Sequence, residues 1–140
     1  MPISDYRTAL VTGANTGMGE AITRMLSEGG VQVYGVARNS DKLQQVAQAT
    51  GMRPIVADIS DPAAIEAAVE GLQIDVLVNN AGVSATGNIL DATAASVDSM
   101  IDVNLRAVLH LCRLLAPGMV ARNRGHIINI SSIAGSYNFF

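Results

Sequence analysis

Cysteine, aromatic side chains and long apolar runs are scarce in this sequence. Cys112 is the single cysteine among 140 residues, which excludes an intrachain disulfide and argues against a cysteine metal cluster. Basic runs and aromatic–basic patches are missing, and the net charge of -3 gives no reason to expect nucleic acid or an anionic membrane as a partner. The apolar stretches break within a few residues, so we expect no segment to span a bilayer.

The expected compartment and the expected lack of a metal site also rest on features that the sequence does not have. The first eight residues lack the apolar stretch of a secretory signal, and with one thiol the cytoplasm is the expected location. His110 and His126 stand far from each other and from any cluster with ligand spacing, so no metal site is expected. Cys112 is interpreted as a core residue rather than a nucleophile.

Short apolar runs alternate with longer amphipathic segments along the whole chain. Strands are predicted at Thr8–Thr12, Val31–Val36, Pro54–Ala57, Asp75–Val78 and His126–Ser131. Helices are predicted from Gly17 to Ser27, from a Ser40 cap to Gly51, after Asp61-Pro62, and from Ser96 to Arg122. This alternation predicts one domain over residues 1–140, an α/β fold with a Rossmann-like doubly wound parallel sheet in the strand order 3-2-1-4-5. The sheet is expected to be incomplete at its C-terminal side.

The last helix is apolar on more than one stripe. Its core side is predicted to carry Met100, Ile101, Leu105, Val108, Leu109, Cys112 and Leu115. Leu111 and Leu114 are predicted to project away from that side, which leaves a second apolar surface for a neighbouring loop or for another copy of the chain. Pro117-Gly118 is expected to kink or interrupt the helix.

A glycine-rich turn, Gly13-Ala-Asn-Thr-Gly17-Met-Gly19, joins the first strand to the first helix. In this place glycines permit a tight turn, let the backbone approach a pyrophosphate and allow close packing of helix on strand. The helix N-terminus adds free N–H groups and partial positive charge for phosphates. A glycine-rich structural turn is the less favoured alternative, and the position of the cluster between a strand and a helix argues further against it.

Five motifs on successive elements make the chain resemble the short-chain dehydrogenase/reductase family. They are Thr12-Gly-x-x-x-Gly17-x-Gly19, Asp58, Asn79-Asn80-Ala81-Gly82, Asn104 and Asn129-Ile-Ser131-Ser132. The resemblance implies a cofactor site formed by Gly13, Asn15, Thr16, Gly17, Met18, Gly19, Ala37, Arg38, Asp58, Ile59, Asn80, Ala81 and Gly82. It also implies catalytic roles for Ser132 and Asn104, with Ser131 as the alternative hydroxyl. Two readings without a ligand remain open, in which Asp58 begins a helix and Asn80 is a turn residue.

The residue that closes the second strand distinguishes NAD from NADP. A carboxylate there would bind the ribose 2′-hydroxyl and repel a 2′-phosphate. Ala37 and Arg38 stand at this point instead, and a guanidinium can bind a phosphate with two parallel N–H bonds. Asp41 is the nearest acid and is predicted to lie in the next helix. We therefore expect NADP(H), unless Arg38 is a solvated surface side chain.

The family resemblance also implies a tyrosine and a lysine in a Tyr-x-x-x-Lys helix. Tyr137 follows Ser132 too closely to be that tyrosine, and Lys42 is the one lysine. The 140 residues are therefore expected to be inactive by themselves. The implied activity is the interconversion of a carbonyl and a secondary alcohol on a small substrate, with a homodimer or homotetramer formed through the helix at Ser96–Arg122. A non-catalytic nucleotide-binding relative is the alternative, and an epimerase or dehydratase on the same fold is a weaker one.

Overall fold

The computed structural model describes residues 5–85 and 88–133. Its strands are β1 (Thr8–Thr12), β2 (Gln32–Ala37), β3 (Arg53–Val56), β4 (Val76–Asn79) and β5 (His126–Asn129). Its helices are α1 (Gly17–Glu28), α2 (Ser40–Thr50), α3 (Pro62–Val69), α4 (Ala94–Ile101) and α5 (Ala107–Ala121). A π-helical turn at Asp102–Arg106 joins α4 to α5, and a short 3-10 turn covers Ile89–Asp91.

The five strands form one parallel sheet in the order β3-β2-β1-β4-β5. The predicted fold class and strand order are confirmed. At the centre, Val11 of β1 pairs with Gly35 of β2 on one side and with Val78 of β4 on the other. In a parallel sheet all carboxyl ends lie at one edge, so the segments after β1, β2, β3 and β4 converge there.

Helices cover both faces of the sheet, and each face has its own apolar core. On the first face α1 and α2 contribute Leu26, Leu43 and Val46, which pack on Val11, Val33 and Val78. On the second face α3 and α5 contribute Ile65, Val69, Leu111, Leu115 and Met119, which pack on Leu10, Val36 and Leu77. Burial on both faces explains why the three central strands β1, β2 and β4 are almost continuously apolar, whereas the edge strands β3 and β5 are exposed or half-buried.

Polar side chains fix the helix starts. The Asp61 carboxylate caps α3 by accepting hydrogen bonds from the N–H groups of Ala63 and Ala64, at 3.0 and 3.1 Å. The cap of α2 is Asn39, whose side-chain oxygen accepts from Lys42 N at 2.9 Å. The prediction that Ser40 is this cap is therefore wrong by one residue, because the asparagine amide oxygen reaches the third helical N–H.

The core side of the long helix was predicted correctly at Leu115 and, in part, at Cys112, but wrongly at Leu105 and Leu109. Its buried residues are Val103, Ala107, Leu111, Leu115 and Met119, spaced four apart. Leu111, predicted to face outward, is buried, and Leu114 is partly buried beside it. Leu105 and Leu109, predicted for the core, are 55% and 62% exposed. Both stripes are apolar, so spacing alone did not show which one packs on the sheet.

The same helix runs through Pro117 without interruption and ends at Ala121. The predicted interruption at Pro117-Gly118 is wrong, since proline at an exposed position near a helix end removes a single intrahelical hydrogen bond; the alternative, a kink at this position, stays a prediction. By length and composition, Ala94–Ala121 is also apolar enough to cross a membrane, with a mean hydropathy of 1.2. The expectation that no segment could span a bilayer is therefore corrected as far as length and composition go, although the core helix of a soluble protein passes the same criterion.

An ionic cluster lies at the sheet edge opposite the convergent loops. Asp75, just before β4, is 1% exposed, and its carboxylate accepts from Arg7 N at 2.9 Å. Arg124 Nε lies 3.2 Å and Arg122 Nη2 3.5 Å from the same carboxylate. Burial by itself raises the pKa of Asp75, but these donors outweigh it and the pKa is lowered. Asp75 therefore joins β4 to the segment between α5 and β5 as an ionised group.

Candidate cofactor site

The glycine-rich turn after β1 needs its glycines for two reasons, backbone conformation and close packing. Gly13 and Gly17 adopt φ values of +65° and +54°, which side chains rarely tolerate. Gly19 is buried in the first turn of α1, where a Cβ would lie 2.5 Å from Asn80 Nδ2 and would overlap the Gly13 carbonyl. The turn thus brings the start of α1 close to the carboxyl end of β1.

Thr12 and Asn80 connect this turn to the loop after β4. The buried Thr12 hydroxyl accepts hydrogen bonds from the N–H groups of Asn80 and Ala81, both at 3.0 Å. In return, Asn80 Nδ2 donates to the Thr12 carbonyl at 3.0 Å. Asn80 is therefore more than a turn residue, because its side chain holds two loops of the site together.

Asp58 and Arg38 face each other at the ends of β3 and β2. Asp58 Oδ1 accepts from the Ser60 hydroxyl at 2.7 Å and from Ser60 N at 2.9 Å. Asp58 Oδ2 lies 3.8 Å from Arg38 Nη1. The Ser60 hydroxyl contributes most to lowering the pKa of Asp58, against a smaller effect of burial, and Arg38 lowers it further. Asp58 does not begin a helix, because Asp61 caps α3.

These loops enclose a cleft of about 670 Å³, a size typical of small-molecule sites. All the residues predicted to bind cofactor line it except Gly19, which packs beneath the turn: Gly13, Asn15, Thr16, Gly17, Met18, Ala37, Arg38, Asp58, Ile59, Asn80, Ala81 and Gly82. The cleft also includes residues that sequence reasoning missed: Val36, Asn39, Ala57, Val83 and Val103. Of these, Asn39 could have been placed from the sequence, because asparagine is common immediately before a helix and the start of α2 lies beside the end of β2.

Asn104 lies in the π-helical turn and contacts the rim of the cleft through Val83. Its Oδ1 accepts from Val83 N at 2.9 Å, and its Nδ2 donates to the Val83 carbonyl at 2.7 Å. A π-helical turn often marks a functional position in a helix. Because both ends of the amide bind one backbone unit, the side chain of Asn104 holds the loop after β4 in place.

The remaining chemical candidates lie away from the cleft lining. Ser132 is exposed three residues beyond β5 and is not among the residues that line the cleft. Tyr137 lies outside the described residues. His110 Nε2 is 3.3 Å from the Pro62 carbonyl, and His126 packs edge-on against Tyr6. Within residues 5–85 and 88–133, no group of three histidine, cysteine or acidic side chains has metal-binding geometry.

A doubly wound parallel sheet whose first loop is rich in glycine, with a cleft across its carboxyl edge, defines a dinucleotide-binding domain. The family model described as short chain dehydrogenase matches residues 7–140. The chain belongs to the short-chain dehydrogenase/reductase family.

One relative and two solved structures are informative about this membership. The NADP-dependent 3-hydroxy acid dehydrogenase YdfG of Salmonella typhi is 42% identical over 140 residues, covering 93% of this chain and 56% of the relative. The closed form of serine dehydrogenase complexed with NADP+ has a TM-score of 0.89 at 38% identity, covering 94% of this chain and 56% of that one. A 3-oxoacyl-[acyl-carrier protein] reductase with bound NAD from Brucella melitensis has a TM-score of 0.88 at 32% identity, covering 99% and 61%.

The chain spans little more than half the length of the curated relatives that it matches. The similar proteins include both NADP-dependent and NAD-bound members. The chain therefore belongs to a family of oxidoreductases that use a nicotinamide nucleotide cofactor, either NADP or NAD.

Proposed function

We propose that the protein to which this chain belongs is an NADP(H)-dependent oxidoreductase that interconverts a carbonyl and a secondary alcohol on a small substrate. Membership of the family supports the reaction class, and relatives named for NADP support the cofactor. The bound cofactor would supply the hydride or accept it.

The observation that carries the NADP(H) proposal is the end of β2. Ala37 and Arg38 line the cleft where a carboxylate would be needed to bind a ribose 2′-hydroxyl. Asp58 is the acid that lines the cleft nearby, and its oxygens face Ser60 and Arg38. A guanidinium at this point favours a 2′-phosphate over a hydroxyl.

The remaining contacts fit the other parts of a dinucleotide. The N–H groups at the start of α1, together with the positive end of its dipole, would bind the pyrophosphate. The close approach at Gly13 matters here, because a Cβ there would lie 3.0 Å from Asn80 Nδ2 and 3.1 Å from Ala81 Cα. Asp58 and Ile59, which line the cleft beside Arg38, would contact the adenine ring.

For the chemistry, Ser132 is proposed to hydrogen-bond the reacting oxygen of the substrate. Asn104 acts as a positioning residue, because both polar ends of its amide are used by Val83, which lines the cleft. Its effect on a proton relay would therefore be exerted through the backbone that it holds.

The proposal includes self-association through the long helix, with a corrected surface. Ile101, Leu105 and Leu109 form an exposed apolar stripe that is 43%, 55% and 62% accessible. An exposed apolar stripe of this kind is typical of a surface that is buried in an interface, and most soluble oligomers are formed by symmetric copies of one chain. The proposed assembly is a homodimer or homotetramer. For the compartment we propose the cytoplasm, where a single free thiol stays reduced.

The direct test is cofactor oxidation by the full-length protein with a panel of aldehydes, ketones and 3-oxo acids. Wild type should oxidise NADPH with at least one of them and should bind NADPH about tenfold or more tightly than NADH. The double variant Ala37→Asp, Arg38→Gln should reverse the preference, because it supplies a carboxylate and removes the guanidinium. Equal affinity of wild type for both cofactors would contradict the cofactor assignment. Tight NADPH binding without turnover would support the non-catalytic alternative.

A further inference from the structure

The charge at the outer end of the cleft does not match a 2′-phosphate if Arg38 is the sole cation. A phosphate monoester carries about -1.5 to -2 charge near neutral pH. Arg38 carries one positive charge, and Asp58 lies 3.8 Å from it with a lowered pKa, so the pair is nearly neutral. A second cation would therefore strengthen the site that the proposed function requires.

Lys42, the single lysine of the sequence, lies in the first turn of α2, four residues after Arg38. Its backbone nitrogen is 2.9 Å from the side-chain oxygen of Asn39, which lines the cofactor cleft. The Lys42 side chain borders a second, smaller cleft of about 290 Å³. The two clefts share Asn15 and Thr16, so the cleft that Lys42 lines adjoins the cofactor cleft at these two residues.

The charges around Lys42 leave its ammonium available. Glu20 borders the same smaller cleft, but its carboxylate is 3.2 Å from Arg24. Among the residues that the structure describes, no carboxylate lies within 4.0 Å of the Lys42 ammonium. The N-terminus of α2 adds its partial positive charge on the same side.

We propose that Lys42 is a second cation for the 2′-phosphate and a determinant of NADP(H) specificity, which acts from the cleft that adjoins the cofactor cleft at Asn15 and Thr16. Its flexible four-carbon stem lets the ammonium approach a dianion that the neutralised Arg38–Asp58 pair holds weakly. This inference rests on the proposed NADP(H) function and adds a residue to it.

The test compares ligands with and without the 2′-phosphate on the full-length protein. Adenosine 2′,5′-bisphosphate, 5′-AMP, NADPH and NADH are titrated against wild type, Lys42→Gln, Lys42→Arg and Arg38→Gln. Arg113→Gln is the matched control, because it also removes one exposed positive charge but lies on α5, across the sheet from α2. Each titration is repeated at high salt, where an exposed charge contact weakens.

We expect Lys42→Gln to lower the affinity for adenosine 2′,5′-bisphosphate and for NADPH about three- to tenfold. This loss lies between that expected for a screened ion pair and that for a charge-assisted hydrogen bond. Binding of 5′-AMP and NADH should be unchanged, Lys42→Arg should restore the loss, and high salt should reduce it. The inference is overturned if Lys42→Gln resembles Arg113→Gln while Arg38→Gln still lowers NADPH affinity. If wild type and Arg38→Gln show no preference for the 2′-phosphate, the proposed cofactor and this inference both fail.

Discussion

Replacement of Gly19 by alanine should damage the cofactor site much more than the same change at Gly17. At Gly19 the added Cβ would lie 2.5 Å from Asn80 Nδ2 and would overlap the Gly13 carbonyl, so the turn must move. Overpacking of this kind costs about 1–3 kcal/mol. Displacing Asn80 would also break its 3.0 Å bond to the Thr12 carbonyl, for about another 1 kcal/mol. The expected loss in the free energy of unfolding is about 2–4 kcal/mol.

Gly17 provides the matched control, because its problem is conformational. Its φ is +54°, but an added Cβ would meet no heavy atom within 4 Å among the described residues, apart from its own helix backbone and chain neighbours. Gly17→Ala should therefore cost about 1–2 kcal/mol, and Gly17→Asn less, since asparagine tolerates the left-handed region.

Urea unfolding of the three variants measures these costs, and NADPH titration of the folded proteins measures the site. Gly19→Ala should weaken NADPH binding more than either Gly17 variant, because it displaces both loops that Asn80 joins. If Gly19→Ala is no more destabilising than Gly17→Ala, the close packing inferred at Gly19 is refuted.

Three further predictions concern catalysis, stability and assembly. Ser132→Ala should lower kcat about 10²- to 10³-fold while cofactor affinity stays nearly constant, because the change removes one hydrogen-bond donor to the reacting oxygen. Near-normal turnover would instead favour Ser131 as the hydroxyl that contacts the substrate. Asp75→Asn should lower the free energy of unfolding by about 2–3 kcal/mol at neutral pH, since it leaves Arg122 and Arg124 without their carboxylate. The pKa of Asp75 is lowered in the fold, so this contribution is complete above its unfolded pKa of roughly 4 and is lost as pH falls through the lower folded value; denaturation curves in which wild type and variant fail to converge in acid would argue against it. Leu105→Glu and Leu109→Glu should each shift light scattering toward the monomer, whereas Val120→Glu, exposed at the far end of α5, should not; an unchanged mass for all three would remove the proposed interface.

The sequence was sufficient for the fold and for most of the cleft because their signals are local. Alternating apolar strands and amphipathic helices predict a parallel sheet, and the sheet in turn predicts that loops after its strands converge. Gly13, Asp58 and Asn80 could therefore be placed at one edge from the sequence alone, and the structure brings them to one cleft.

Features that depend on tertiary contacts could not be predicted in this way. Leu109 and Leu111 are equally apolar, and only packing on the sheet shows that Leu111 is buried and Leu109 exposed. The pairing of Arg38 with Asp58 joins residues twenty positions apart through the β2–β3 register. Val83 and Val103 line the cleft as plain apolar side chains, a type that carries no motif.

The π-helical turn at Asp102–Arg106 has a consequence for how the chain tolerates changes in length. Such a turn holds one residue more than the α-helical turn that it replaces, so deleting one residue there would restore a regular helix. The deletion would rotate α4 (Ala94–Ile101) by about 100° about the helix axis relative to α5 (Ala107–Ala121). That rotation would take the Asn104 amide off the Val83 backbone and split the exposed apolar stripe in two. A one-residue deletion in this segment would thus yield a regular α-helix and release the loop after β4 from Asn104.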